Sequence, residues 1–148
     1  MDWKPEYEIG IELIDEQHKE LIRRISLFHE ACELGVSLDA LDALLSFLQS
    51  YVSKHFYDEE ALQLKYEYPK YSAHKMQHEK LIDDLVEKEL KTRLQIKKLD
   101  LQNDHQELQR IFATLIDWLE AWVRHHIAGS DKEVGKYLTS KGFSGTQA

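Results

Sequence analysis

Cysteine is almost missing from this chain. Cys32 is the only one in 148 residues, so no internal disulfide can brace the fold, and its place in an apolar stripe marks it as a small packing residue rather than a reactive thiol. A reducing cytosol is the expected setting. Positive charge is scarce too: 19 Lys and Arg stand against 27 Asp and Glu, a net charge of −8, which excludes a phosphate backbone or an anionic membrane surface as partner. No apolar run approaches the roughly 18 residues of a membrane span, and the opening MDWKPEYEIG lacks the apolar core of a leader. With two prolines and six glycines there is little to break helices, and an all-α fold of one domain over 1–148 is predicted.

The chain does contain apolar seams at helical spacing. Ile14, His18, Leu21, Ile25, Phe28 and Cys32 step alternately by four and three residues. Leu41, Leu45, Leu48, Val52, His55 and Glu59 keep the same alternation, as do Leu108, Phe112, Leu115, Leu119, Trp122 and His126. A fourth seam, His74, His78, Leu81 and Leu85, runs out in the charged stretch EKELKTRLQIKK, as a helix end emerging into solvent would. Each seam places a histidine, and one also a glutamate, in slots that the pattern reserves for apolar side chains.

Helix-end chemistry divides the seams. Asp15 is the expected cap of the first helix, Gly35 its left-handed end, and Ser37 or Asp39 the start of the second. Pro69 fits the first turn of the third helix. Asp104 with Glu107 resembles a capping box before the fourth, and Gly129 closes it. In an up-and-down bundle, side chains meet only if they are equidistant from the turn between them. His18 and His55 centre between 36 and 37, Glu59 and His74 between 66 and 67, and His78 and His126 on Gln102. All three midpoints fall in predicted turns, so the ligands meet at one level of an antiparallel up-down-up-down four-helix bundle over about 14–128. An N-terminal arm (1–13) and a C-terminal segment with a short helix (129–148) complete the predicted fold. The longer arms around Gln102 predict a hairpin tip at 94–107 that projects by roughly 9 Å, a solvated projection first and a protein-docking surface second.

Seven side chains thus become candidate metal ligands: His18, His55, Glu59, His74, His78, His126 and Asp131. The pairs His55/Glu59 and His74/His78 are four residues apart, on one face of a helix. His126 and Asp131 are five apart, a spacing that Gly129 makes usable by turning the chain. Periodicity alone does not choose His126 over His125, because Ile111, Leu115, Trp118, Trp122 and His125 form a competing stripe; the distance to Asp131 favours His126. A lone histidine in an apolar stripe is ordinarily a satisfied core residue, but seven such positions at one level favour a metal site. Imidazole and carboxylate without clustered cysteine suit iron, manganese, zinc or copper. If the metals are two octahedral irons, this set with a bridging oxygen fills all but one of about twelve positions, and the open position suits dioxygen capture. His29 and His105 have no partner at ligand spacing and read as surface residues.

The segments IDEQHKEL, HFYDEE, YPKYSAHKMQH and HIAGSD resemble, in order, the motifs of the hemerythrins, and specifically the bacterial ones, over about residues 3–138. The resemblance implies two iron ions bridged by an oxo or hydroxo group, by Glu59 and by Asp131. It implies His74, His78 and His126 on one iron and His18 and His55 on the other, with dioxygen at the second. It further implies an oxygen pocket guarded at Val123 and an N-terminal arm docked through Trp3 and Tyr7; Phe56, Trp118 and Trp122 read first as core packing, and Phe56 and Trp122 also as the dry apolar wall of that oxygen pocket. The sequence departs from the family's habit at Val123, where leucine is usual, at Gln63, where methionine is common, and at Val134, where tyrosine often stands; none of the three is expected to touch a ligand. The leading expectation is a cytoplasmic, monomeric dioxygen-binding protein for storage, delivery or scavenging, with no residue in a catalytic role. Competing expectations are an oxygen or redox sensor signalling to a partner, and a di-iron peroxidase or nitric oxide reductase.

Overall fold

In a computed structural model, which describes residues 1–35 and 37–143, the seams become four long helices: α1 (Glu12–Leu34), α2 (Leu38–Lys65), α3 (Tyr71–Lys97) and α4 (His105–Ala128). A shorter α5 (Ser130–Ser140) follows, and a single 3₁₀ turn, Pro5–Tyr7, lies in the N-terminal arm. The described residues contain no strand. Each long helix packs on its chain neighbour, and α4 closes the ring against α1, as short connections between antiparallel helices require. Nearly every seam residue is buried; Cys32, at the end of the first seam, is half-buried. The predicted turn at 35–37 includes Val36, and the predicted C-terminal segment runs to 148; Val36 and residues 144–148 lie outside the described residues.

Several helix ends differ from the sequence reading. The first helix begins at Glu12, before Asp15, and the Asp15 carboxylate accepts from the backbone N–H groups of Ile9 (2.9 Å) and Gly10 (3.1 Å). It therefore ties the arm to the helix instead of capping it. Gly35 ends α1 at φ 149°, ψ 142°, an extended positive-φ conformation rather than the compact left-handed one, and still one that favours glycine. Ser37 caps α2 through Ala40 N–H. Pro69 precedes α3, in the turn at 66–70, because the helix begins only at Tyr71. Asp104 stands at the N-cap of α4, but its side chain accepts from Asp100 N–H, and Glu107 pairs with Arg110, so no capping box forms.

The α3 seam does not dissolve after Leu85. It continues through Glu89, Thr92, Ile96 and Leu99, with Thr92 buried and Ile96 and Leu99 against the main core. Counted from the level of His18, His55, His78 and His126, the α3 and α4 arms exceed those of α1 and α2 by about one helical turn, and the connection at 98–104 joins them.

Two cores hold these elements. The larger fills the bundle interior; the smaller gathers Ile9, Ile11, Ile14, Leu62, Tyr68, Val134, Leu138 and Phe143 where the arm meets α5. Gly135 makes the second one possible. A Cβ there would lie 2.2 Å from the Ile9 carbonyl oxygen, so only glycine lets α5 lie directly on the arm. Tyr137 donates to the carbonyls of Tyr66 (2.7 Å) and Glu67 (3.0 Å), pinning the far side of α5 to the α2–α3 turn. Together these contacts fix the first turn of α5, which carries Asp131. Trp3 and Tyr7 seat the arm itself, meeting edge to face at 5.8 Å with Tyr7 buried.

Candidate metal centre

At the level where the seams turn polar, all four helices and α5 contribute side chains to one buried cluster. His18 comes from α1, His55 and Glu59 from α2, His74 and His78 from α3, His126 from α4 and Asp131 from α5. All seven are buried, His18, Glu59 and Asp131 completely. Their ligand atoms form two overlapping sets. His18, His55, Glu59, His126 and Asp131 offer atoms within 4.8 Å of one another; so do His74, His78, His126 and Asp131. His126 and Asp131 belong to both. His125, the competing candidate, is exposed, as is His105; His29 is half-exposed beside Glu33 and Glu120.

The helix break at Gly129 explains how Asp131 arrives. A Cβ at Gly129 would lie 2.8 Å from the His125 carbonyl oxygen, so the sharp change of direction between α4 and α5 needs a glycine. The turn brings Asp131 Oδ2 to 2.8 Å from His126 Nε2 and 3.0 Å from His18 Nε2, with Oδ1 3.0 Å from His74 Nε2. Glu59 is splayed in the same way. Its Oε2 faces His55 (3.4 Å) and His126 (3.8 Å), while Oε1 faces His74 (3.4 Å) and His78 (3.8 Å). Each carboxylate thus presents its two oxygens to different histidines.

Without a cation, this arrangement is unfavourable. His55 Nε2 lies 3.1 Å from His18 Nε2 and 3.2 Å from His126 Nε2, so several acceptor atoms crowd one point. Both oxygens of Glu59, both of Asp131, and Nε2 of His74 and His78 have no hydrogen-bond partner. Buried polar atoms are almost always satisfied, and leaving one unmade costs about 1–3 kcal/mol. Burial holds the His55 imidazole well below its ordinary pKa, with the neighbouring His18 and His126 acting in the same direction. Burial, with His74 and His126, pushes His78 down to about 2. Both are therefore neutral, the form in which histidine ligates a metal. Burial and the nearby Asp131 raise Glu59; for Asp131, burial alone would raise the pKa, but His126, His18 and His74 overcome it and hold the carboxylate ionised. Nitrogen and oxygen donors that converge on one buried point, several of them without a hydrogen bond, fit a bound metal such as iron, and the donor set matches that chemistry.

Around this cluster lies a second layer that the sequence reading did not identify. Gln17 Oε1 accepts from His55 Nδ1 at 2.7 Å, and the Gln17 amide donates to Asp58 (2.8 Å), which Lys54 also meets at 2.6 Å. Glu60 accepts from His78 Nδ1 at 2.8 Å. Gln63 touches a candidate ligand too, contrary to expectation: its amide nitrogen lies 2.5 Å from His74 Nδ1, while its Oε1 is unpartnered. A half-turn of the amide exchanges O for N and gives His74 Nδ1–H its acceptor. Position carried the signal for all three. Gln17 and Glu60 adjoin ligands in sequence, and Gln63 lies one helical turn beyond Glu59.

Of the predicted pocket residues, Phe56 lies against the cluster. Its ring stacks on His78 at 4.0 Å with 5° between planes and stands 5.0 Å from His126 and 5.5 Å from His55. Trp122 and Val123 are buried in the same core, and Trp122 Nε1 donates to the Leu81 carbonyl at 3.1 Å. Val134, the third departure, packs in the smaller core.

Comparison with known proteins places these residues in context. The family model described as the hemerythrin HHE cation binding domain matches residues 9–138. Among curated proteins, a bacteriohemerythrin of Clostridium acetobutylicum is 27% identical over 134 residues, covering 88% of this chain and 95% of its own. A bacteriohemerythrin of Methylococcus capsulatus is 28% identical over 147 residues, covering 95% and 98%. One from Stenotrophomonas maltophilia is 28% identical over 130 residues, covering 88% and 76%.

Proposed function

Since the chain belongs to the hemerythrin HHE cation-binding family, we propose that its buried cluster holds two iron ions and that the protein binds dioxygen reversibly, for storage, delivery or scavenging. His74, His78 and His126 would hold one iron, His18 and His55 the other, and Glu59 and Asp131 would bridge them. The observation that carries this reading is the pair of overlapping ligand sets, joined by carboxylates whose two oxygens face different histidines. When bound, two ferrous ions supply the two electrons that dioxygen takes up and returns.

The chain's own residues do the remainder. Gln17 and Glu60 accept from Nδ1–H of His55 and His78, which fixes each ring and leaves Nε2 bare for a metal. Phe56 shields His78 and His126 with an apolar ring. Phe56, Trp122 and Val123 would form a dry wall that keeps water and protons from the site. The mostly neutral ligand set gives little anionic support to high oxidation states, which favours oxygen binding over oxygenase chemistry.

One measurement tests the reading. Protein purified without oxygen should contain two irons per chain and gain and lose a visible charge-transfer band as oxygen is admitted and removed. Failure to take up two irons, or irreversible oxidation on the first exposure, overturns it. Peroxide or nitric oxide turnover far above that of free iron would make the site an enzyme's instead.

A further inference from the structure

A line of aromatic rings runs along α4 from the surface to the metal centre. Trp118, Trp122 and His126 follow one another at four-residue steps, which places them on one face of the helix. The two indoles stack, with centroids 6.2 Å apart and 19° between their planes. Trp122 is buried in the main core, but Trp118 is only half-buried and walls a surface groove of about 250 Å³ beside Asp84, Glu87, Lys88 and Lys91 of α3. Aromatic stacking inside a core is ordinary. What distinguishes this pair is where it leads. Phe56 stacks more closely on His78, yet its ring neighbours among the described residues are all histidines of the cluster, so that line never reaches the surface. A phenyl ring also resists one-electron oxidation, whereas an indole gives up an electron far more readily.

The two indole N–H groups give the line a direction. Trp122 Nε1 donates to the Leu81 carbonyl at 3.1 Å, and a carbonyl oxygen is too weak a base to take the proton away. Trp118 Nε1 has no protein acceptor among the described residues and is not sealed from water. Indole nitrogen can only donate, and once the ring has lost an electron that N–H becomes a strong acid. Trp122 therefore passes the charge on, whereas Trp118 can release its proton to water and hold the radical. Resting on the di-iron reading above, we propose that Trp122 and Trp118 form an electron route between the metal centre and the α3–α4 groove, through which oxidising equivalents from hydrogen peroxide are drawn off to the surface. The reading itself supplies the oxidant: oxygen that departs with two electrons and two protons leaves as hydrogen peroxide. A peroxide molecule met by the ferric protein takes two more electrons and two protons to become two waters. Each electron passes from Trp122 to the centre and is replaced from Trp118, whose Nε1 proton goes to water. A small thiol in the groove returns a hydrogen atom to Trp118, and two such thiyl radicals join as a disulfide. In sum, one peroxide and two thiols become two waters and one disulfide, on the scale of the protein's own autoxidation.

The test uses the iron-loaded full chain, first assayed for two irons and for reversible oxygen uptake, then oxidised to the ferric form and given one equivalent of hydrogen peroxide. Freezing for electron paramagnetic resonance should reveal a tryptophan radical. Without thiol, peptide mass mapping should find oxygen inserted into Trp118; with glutathione present, both marks should be lost. Trp118→Phe should keep the iron content and the oxygen band yet lose the radical signal. Trp122→Phe should leave Trp118 unmarked although that ring is still present at the surface, and Trp3→Phe should change nothing. The metal-free chain should show no mark at Trp118. A radical confined to tyrosine, no radical at all, or Trp118 marked as strongly in Trp122→Phe or in the metal-free chain would overturn the route while iron binding and oxygen cycling stand. A chain that takes up no iron would overturn the di-iron reading and the route with it.

Discussion

Two levels of the same bundle bury side chains in the same seams by opposite logic. Toward the α1–α2 turn, Ile25, Phe28, Leu41, Leu45, Phe112 and Leu115 meet in a core built mainly of apolar side chains. A few turns away, the identical register delivers His18, His55, Glu59, His74, His78 and His126, with Asp131 added from α5, and six of their atoms on Glu59, Asp131, His74 and His78 lack a hydrogen bond. The apolar level stabilises the scaffold whether or not a metal is present. The polar level is complete only with one. Folding strength and function are therefore assigned to different layers of one repeated pattern.

The sharpest way to break that division is to damage the apolar level. Phe112 is 1% exposed and packs beside Phe28 at 5.6 Å. Phe112→Ala should cost about 3–5 kcal/mol, read by denaturant unfolding, and the loss should be the same in metal-free and metal-loaded protein. A loss that vanishes on metal loading would show that the levels are not separate. Next in size is the metal itself. Chelation should leave the helix content intact but lower the melting temperature, and iron at about a hundredfold excess over its dissociation constant should return about 2.7 kcal/mol. No change in melting on chelation would mean that the polar level is satisfied without a cation.

Smaller effects sharpen the picture at the border of the two levels. Gln63→Leu removes the acceptor for His74 Nδ1–H while keeping an apolar volume, and should weaken iron retention about 10–100-fold against a competing chelator; retention equal to the parent's would assign Gln63 to packing alone. The smallest effect is expected at Val123. Val123→Leu adds a methylene group to the wall proposed to exclude water, and should slow autoxidation of the oxygenated protein severalfold with little change in stability. Unchanged autoxidation would remove Val123 from that wall.

The four helices, their antiparallel order and the level at which the seven candidate ligands meet were legible because each rests on local arithmetic: seams in alternating steps of four and three, glycines and caps at the turns, and equal distances from them. The helix ends were less legible. Asp15, Pro69 and Asp104 each have residue types suited to more than one role, and the choice depended on where the neighbouring chain lay. Asp15 bonds the arm rather than its own helix because the arm folds back over it.

By itself, then, the sequence determined which residues would be buried together, since burial on a helix follows from periodicity alone. Only the tertiary structure decided what those residues do to one another. The splay of Glu59 between two groups of histidines, the acceptors Gln17, Glu60 and Gln63 behind the rings, and the seating of Asp131 through Gly135 against Ile9 all join separate elements. The direction in which the distal part of α3 faces belongs with them. The rotation of α3 that aims His74 and His78 inward fixes the azimuth of every later residue on that helix, so Thr92 and Ile96 turn toward the core while Val86, Leu90 and Leu94 are carried to the outside.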